Sequence, residues 1–299
     1  LDLLVSVDPF MTPTAMLADY ILPPTLYYER ADLPISFPGI AFYPMAWTQY
    51  AHPLIKPPAD ADLVEDWYVL WAVASRMGVQ IRFNGQFDLD MEIAPTADEL
   101  IAMRCHGSMI PLDEIKQHPG GKVYDVGDIR VQCGRPEADA RFDVMPADVA
   151  AELAEALPGA ERPGFTHLMS SRRMRDFFNS NGIHVANVRA RNPVNPAFLN
   201  PDDMRALGVV DDEEIEIMSE NGTIRAVVRA DEALRSGVVS ISHGWGELPA
   251  ADPRAHDVRS HGSCINPLIS DHMPVEKINA MPRMSAIPVN IRRAEPADG

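Results

Sequence analysis

Short strand patterns, spaced closely along the second half of the chain, limit the folds open to it more than any other feature. Alternating and β-branched apolar residues mark "FTHLMSS", the hairpin "EEIEIMSENGTIRAVVRA", "SGVVSISHGWG" and "MSAIPVNIRR". Asn221 and Gly222 provide turn residues that tolerate a positive φ. One short helix, "NPDDMRALG", lies among the strands. This texture predicts a small β-barrel rather than a sandwich of long hairpins.

Helix signals dominate residues 1–160. "ADLVEDWYVLWAVASRMG" and "TADELIAMRCHG" have apolar residues three and four apart and end in glycine, and Thr96 is the expected N-cap of the second. "LDLLVSVDPF" predicts a buried parallel strand, and "TPTAMLADY" predicts a short helix capped by Thr12. The proline-rich aromatic stretch that follows predicts an ordered loop. We therefore expect the end of an α/β domain over 1–160 and a second domain over 161–299.

Charge and cysteine content exclude several classes of function. With 26 Lys and Arg against 43 Asp and Glu, the net charge is −17, which argues against the basic surface that nucleic-acid binding needs. No window reaches the ~18 uninterrupted apolar residues of a membrane span. The three cysteines (Cys105, Cys133, Cys264) form no CxxC pair, which argues against a zinc or iron–sulfur site inside this chain and favours the cytoplasm. Because the chain opens within a strand pattern and without Met, we expect a fragment.

Two segments of the second domain carry candidate ligand-binding chemistry. Residues 171–191 hold five arginines against one aspartate, a local reversal of charge that suits an anionic ligand but also a solvated face. The strand at 238–242 ends in His243, Gly244, Trp245 and Gly246. Glycines permit close approach of the backbone to a ligand, although a lone histidine is more often a structural residue.

The order of these motifs resembles one family. "LNPDDMRALGVVDDEEIEIMSENGTIRAVVRADEALRSGVVSISHGWG", "GSCINPLISD" and "MPRMSAIPVNIRR" resemble the C-terminal cofactor-binding domain of the molybdopterin oxidoreductases, the dimethyl sulfoxide reductase family. "VDPFMTPTAMLADYILPPTLYYERADL" resembles the segment that closes the preceding α/β domain. The resemblance implies the tail of a Rossmann-like domain followed by a six-stranded double-psi β-barrel.

The resemblance also implies a cofactor, bis(molybdopterin guanine dinucleotide) with molybdenum or tungsten. It gives the following candidate cofactor-binding residues: Ser171, Arg172, Arg173, Asn179, Ser180, Asn200, Asp202, His243, Gly244, Trp245, Asn266, Arg283, Thr12 and Thr14. Helix capping explains Asn200, Asp202 and the two threonines equally well. A metal site at His261, His272 and Asp271 is not favoured, because their spacing does not suit a helical pair. Catalytic and metal-ligating residues are expected upstream of this chain, as is any iron–sulfur cluster.

The expected function is to hold this cofactor for oxygen-atom transfer or a two-electron redox step. The expected partners are the N-terminal part of the same enzyme, a small-molecule substrate and an electron-transfer protein, with no nucleic acid and no membrane span. Two alternatives stay open. The chain could be a separate subunit of a formate or formylmethanofuran-type dehydrogenase, or a double-psi barrel that acts as a non-catalytic binding module.

Overall fold

The structure is a computed structural model, and it describes residues 1–34, 45–127, 135–137, 139, 143–156, 164–247, 256–270, 275, 280–282 and 284–295. The helices are α1 Pro13–Met16, α2 Asp66–Arg76, α3 Ala97–Arg104, α4 Leu112–Lys116, α5 Ala147–Ala156, α6 Ala186–Arg191, α7 Pro201–Leu207 and α8 Val258–His261. The strands are β1 Val5–Ser6, β2 Tyr20–Ile21, β3 Trp47–Thr48, β4 Arg82–Phe83, β5 Phe87–Asp88, β6 Lys122–Val123, β7 His167–Arg172, β8 Ala197–Leu199, β9 Glu214–Met218, β10 Thr223–Ala230, β11 Val238–Ser242 and β12 Ser285–Arg293.

The chain separates into two compact units, Leu1–Asp139 and Ala140–Gly299. Helix α5 therefore belongs to the second unit. The domain boundary between residues 160 and 161 stays a prediction. None of the helices in the described ranges is long and apolar enough to cross a membrane.

In its described part, the first unit combines helices with two-stranded sheets: β1 with β2 in parallel, and β3 with β6 and β4 with β5 in antiparallel. The opening strand is parallel as predicted, with Val5 opposite Tyr20, but the predicted burial is wrong. Leu3 is 58% exposed and Val5 is 41% exposed, because a single neighbouring strand of two residues covers little of their surface.

The two main helices of this unit follow their sequence signals. Thr96 accepts a hydrogen bond from the backbone of Glu99, and the Glu99 carboxylate accepts one from the Thr96 backbone, which completes the capping box. Helix α2 buries Trp71 against Leu100 of α3 and Leu89. Thr12 caps α1 as predicted, through a bond from the Ala15 backbone.

The second unit contains a closed six-stranded barrel, in the order β10-β8-β11-β7-β12-β9. The pairs β10–β8 and β11–β7 are parallel, and the four others are antiparallel. The strand patterns predicted five of the six strands. They missed Ala197–Leu199, because three residues are too few to show an alternation. The barrel itself is therefore confirmed, with its sixth strand implied only by the family resemblance.

Alternation along the strands fills the barrel interior. Ile215 and Ile217 of β9, Ala226 and Val228 of β10, and Ile241 of β11 all have no exposed surface. Each of these buried isoleucine and valine side chains contributes about 1.5–3 kcal/mol relative to an exposed one. This continuous apolar core holds the strand ends in place around the barrel.

The turn of the β9–β10 hairpin differs from its prediction. Neither Asn221 nor Gly222 has a positive φ, so the turn does not use their tolerance of the left-handed region. Gly222 is instead required by space, because a Cβ there would lie 2.6 Å from the carbonyl oxygen of Pro267. The hairpin thereby packs against the segment that carries Asn266.

Candidate functional site

Strands β7 and β11 bring the two candidate segments together. They run in parallel with Ile241 opposite Ser171 and Ser242 opposite Arg172, so their carboxyl ends lie side by side. His243 directly follows β11, and its Nδ1 lies 3.1 Å from the Ser171 hydroxyl. The barrel order therefore places the arginine-rich segment beside the histidine, as the family resemblance implied.

Asn179 completes a chain of hydrogen bonds on the other side of the imidazole. Its side-chain oxygen lies 3.0 Å from His243 Nε2 and also accepts a bond from Arg173. Because the amide oxygen of Asn179 can only accept hydrogen bonds, His243 Nε2 is the donor and carries the proton. In neutral His243, Nδ1 is then the acceptor and the Ser171 hydroxyl donates to it. Asn179 has a φ of 56°, a conformation that asparagine tolerates better than most residues.

The electrostatic setting keeps this imidazole neutral. Burial, and then the positive charge of Arg173, lower the pKa of His243 below its ordinary value of 6.5. Neutral imidazole, hydroxyl and amide groups offer both donors and acceptors, whereas Arg173 adds one fixed positive charge. We call Ser171, Arg173, Asn179 and His243 the His243 group.

The glycines around Trp245 have a different role from the one predicted. A Cβ on Gly244 would lie 2.9 Å from the backbone of Asn179 and 3.1 Å from the Ser180 nitrogen, and one on Gly246 would lie 2.5 Å from the Cys264 nitrogen. These glycines allow three chain segments to pack against each other. Their φ values of 84° and 99° also favour glycine. They position the site by backbone packing.

Trp245 is part of the packing under this end of the barrel. Its side chain is 4% exposed, its ring meets Phe177 edge-on at 4.9 Å, and the Arg189 guanidinium lies 5.4 Å from the ring centroid. The prediction of an indole presented to a ligand is corrected to that of a buried ring. Its Nε1 has no hydrogen-bond partner among the residues described.

Arg172 lies next to this group but points away from it. Its guanidinium pairs with Asp231 at 3.0 Å and stacks 4.0 Å above the ring of Phe198. The hydrogen bond from Arg172 lowers the pKa of the Asp231 carboxyl. The charge of Arg172 is therefore already matched within the fold.

Asn200 and Asp202 lie at the other end of the barrel. Strand β8 is antiparallel to β11, with Leu199 opposite Val239, so the residue after β8 lies where β11 begins. Asn200 accepts a bond from the Asp202 backbone at 2.8 Å and donates to the Leu234 carbonyl at 2.8 Å. Asp202 pairs with Arg205 on the exposed face of α7. Capping accounts for both residues, and the structure does not bring them to the His243 group.

The remaining candidates are scattered. Asn266 is exposed at the start of a 3-10 turn, Asn266–Leu268, beside the β9–β10 hairpin. That hairpin lies at the His243 end, because β10 is parallel to β8. Thr12 and the exposed Thr14 belong to the first unit, in α1 and its cap. Arg283 lies outside the described residues.

Asn195 is a residue that the sequence interpretation missed. It is 1% exposed, donates to the carbonyls of Ser242 at 2.6 Å and Ser263 at 3.0 Å, and accepts from the Ser263 nitrogen at 2.7 Å. These bonds hold the end of β11 to the segment that follows α8. The available signal in the sequence was the repeated Asn-Pro of "RNPVNP". The complete bonding of Asn195 is typical of a buried polar side chain.

In the described ranges, no three His, Cys, Asp or Glu side chains form a group that could hold a metal ion. His261 instead pairs with Glu247 at 2.8 Å. His272 and Asp271 fall outside the described residues. Cys105 and Cys264 are free thiols.

Comparison with known proteins finds a family model and several relatives that match this chain. The family model described as the molydopterin dinucleotide binding domain matches residues 167–286. Acetylene hydratase of Syntrophotalea acetylenica is 26% identical over 256 residues, which are 81% of this chain and 33% of that protein. The alpha subunit of a formate dehydrogenase from Methanocaldococcus jannaschii is 26% identical, over 80% of this chain and 34% of the subunit.

A third relative, from Halobacterium salinarum, is named as a putative catalytic subunit of dimethyl sulfoxide reductase and is 23% identical over 87% of this chain and 31% of that protein. The chain thus spans about a third of the length of these curated relatives. The solved structure of acetylene hydratase from Pelobacter acetylenicus superposes with a TM-score of 0.68 at 19% identity, over 98% of this chain and 40% of that one. That likeness concerns the fold.

The side chains at this end fit such a cofactor. A pterin dinucleotide offers many hydrogen-bond donors and acceptors and a pyrophosphate, and the His243 group supplies neutral partners beside a guanidinium. The family match bears out the predicted cofactor, a molybdopterin guanine dinucleotide with molybdenum or tungsten. Residues 167–286 match the molydopterin dinucleotide binding domain, and together with these relatives the match supports a molybdopterin oxidoreductase C-terminal region.

Proposed function

We propose that this chain is a fragment of a bis(molybdopterin guanine dinucleotide) enzyme and holds one of the two dinucleotides at the His243 end of its barrel. The observation that carries the proposal is the hydrogen-bonded series Ser171–His243–Asn179–Arg173 within the matched domain. When bound, the cofactor supplies oxygen-atom transfer or two-electron redox chemistry at its metal. The chain itself supplies binding and orientation.

The roles of individual residues follow from their bonds. Asn179 and Arg173 fix the proton of His243 on Nε2, which leaves the Ser171 hydroxyl oxygen free to accept a bond from the ligand. Arg173, Ser180 and Asn266 are exposed at this end and would contact the ligand from either side of the imidazole. Gly244 and Trp245 act as positioning residues, and Arg283 remains a candidate from the family resemblance.

Several finer features belong to the same proposal. The barrel would be of the double-psi type, and the first unit would be the tail of a Rossmann-like domain. The N-terminal part of the enzyme would provide the metal ligand, most of the substrate funnel and any iron–sulfur cluster. The proposal also includes a small-molecule substrate, an electron-transfer partner and a cytoplasmic location. Thr12 and Thr14 remain candidates from the family resemblance alone.

A separate subunit of a formate-type dehydrogenase is the alternative with specific support, because a formate dehydrogenase alpha subunit is among the relatives. The 139-residue first unit favours the fragment, since a separate barrel subunit has no need of it. A non-catalytic binding module is less favoured, because it has no need of a guanidinium, an imidazole and an amide linked at one strand end.

Analysis of the complete gene product, isolated without oxygen, tests the proposal. We expect molybdenum or tungsten with two pterin dinucleotides per metal. An active, fully folded protein without metal and pterin would overturn it. A stoichiometry of one pterin per metal would retain the domain assignment and remove the bis form.

A further inference from the structure

Two consecutive phenylalanines beside the His243 group lie in opposite environments. Phe177 is 8% exposed, and its ring meets that of Trp245 edge-on with 4.9 Å between the centroids. Phe178 is 69% exposed, which makes it the most exposed phenylalanine in the described part of the chain. An exposed ring forgoes the stabilisation that burial gives, so packing among the described residues does not account for the position of Phe178.

The backbone holds Phe178 in a defined position. Phe178 and Asn181 exchange two backbone hydrogen bonds, of 3.3 and 3.0 Å, which close a turn with Asn179 and Ser180 at its tip. This tip packs against Gly244 so closely that a Cβ there would lie 2.9 Å from the Asn179 backbone. An aromatic side chain on a fixed backbone loses little conformational entropy when a ligand binds to it.

Phe178 also adjoins the polar side chains of the His243 group. The Arg173 guanidinium lies 5.9 Å from the ring centroid of Phe178 and donates to the side-chain oxygen of Asn179, the next residue. An accessible apolar ring therefore lies beside a guanidinium, an amide and an imidazole. A flat heterocycle uses both kinds of contact, since its faces stack on aromatic rings and its edge forms hydrogen bonds.

We propose that the ring of Phe178 stacks on one of the two nitrogen heterocycles of the dinucleotide, guanine or pterin. Both are fused bicyclic rings that contain an aminopyrimidinone, whose edge donates and accepts hydrogen bonds. The inference rests on the proposed function, because it requires the dinucleotide at the His243 end. It adds a contact to the face of the ligand, whereas the His243 group offers contacts to its edge.

The rate at which the complete gene product releases its guanine dinucleotide during dialysis tests the contact. Phe178→Leu keeps an apolar side chain and removes the ring. Its release should be at least about fivefold faster, the lower bound for the loss of one stack between a base and an aromatic ring. Phe178→Tyr keeps the ring and should release the dinucleotide at the unmodified rate.

Phe198→Leu is the matched control. The ring of Phe198 also faces a guanidinium, that of Arg172 at 4.0 Å, but Arg172 pairs with Asp231 and is not part of the His243 group. The release rate of this variant should equal that of the unmodified protein.

Equal release rates of Phe178→Leu and Phe178→Tyr would overturn the inference, because an apolar contact with another part of the enzyme accepts leucine as well as tyrosine. That result leaves the proposed function in place. Unmodified protein that holds no dinucleotide would instead remove the proposed function and this contact together.

Phe178→Trp distinguishes the two heterocycles. A stacked heterocycle quenches indole fluorescence, so the emission that this variant adds to that of the unmodified protein should be lower with bound dinucleotide than in the cofactor-free protein. Quenching of the cofactor-free variant by guanosine diphosphate identifies guanine as the stacked ring, and quenching by the dinucleotide alone identifies the pterin. Equal emission with and without the dinucleotide contradicts the stacking contact.

Discussion

The two ends of the barrel use polar side chains in different ways. Where β11 begins, the polar side chains bond within the fold. Asn200 caps α7 and donates to the Leu234 carbonyl, and Asp203 accepts from the Gly237 nitrogen. Where β11 finishes, His243 and Asn179 bond to each other, and Asn179 and Arg173 remain exposed. A polar residue at a strand end is therefore a strong site candidate only when capping and turns leave part of its bonding capacity unused.

The largest expected effect on stability concerns Asn195, whose hydrogen bonds hold the end of β11 at the His243 end. Asn195→Ala would leave two carbonyls and one N–H without their present partner in a buried position, and should lower the free energy of unfolding by about 3 kcal/mol. Urea denaturation measures it. The matched control is Asn192→Ala, whose amide bonds an aspartate at the surface and should change stability little. Equal changes in the free energy of unfolding for the two variants would show that the Asn195 hydrogen bonds do not stabilise the fold.

A smaller effect is expected at the opposite end. Asn200→Ala removes the N-cap of α7 and should cost about 1 kcal/mol. Because the described bonds of the Asn200 side chain, to Leu234 and Asp202, do not involve the His243 group, cofactor retention by the complete enzyme should be unchanged. Thermal denaturation and pterin content of the same preparation test the two statements together. Loss of pterin in Asn200→Ala would restore the guanine contact predicted from the family resemblance.

The smallest effect is a dependence on pH. Since the pKa of His243 is lowered in the fold, the unfolded chain takes up the proton first as the pH falls. The stability that neutral His243 contributes is present above about pH 6.5 and is lost as the pH falls through that value towards the lower pKa of the folded state.

His243→Gln should therefore lose less stability than the unmodified chain between about pH 7 and pH 5. The glutamine amide keeps a donor for Asn179 and does not titrate in this range. Melting temperatures of the two proteins across the interval provide the measurement. Parallel curves would mean that the imidazole does not titrate differently in the two states.

Local signals made most of the fold predictable. The Thr96 capping box, the Asn200-Pro201 helix start and the alternation in β9 and β10 each depend on residues a few positions apart, and they appear in the structure as predicted. Ala197–Leu199 was missed because a strand of three residues is defined by its neighbours across the barrel, which sequence spacing does not reveal.

The sequence and the family resemblance named most residues of the candidate site, but they predicted less well where those side chains lie. The proximity of the arginine-rich segment to His243 follows from the parallel pairing of β7 with β11, which only the family resemblance indicated. The burial of Trp245 and the turning of Arg172 towards Asp231 depend on side chains distant in sequence. The position of Asn200 at the far end required the antiparallel pairing of β8 with β11.

The most direct test of the central claim is the pterin content of two asparagine variants of the complete gene product. Asn179→Ala removes the acceptor that His243 and Arg173 share, and it should lower the guanine dinucleotide retained per protein at least severalfold. Asn200→Ala should retain as much as the unmodified enzyme. Equal retention by the two variants, or greater loss in Asn200→Ala, would contradict the assignment of the His243 end as the cofactor-binding end.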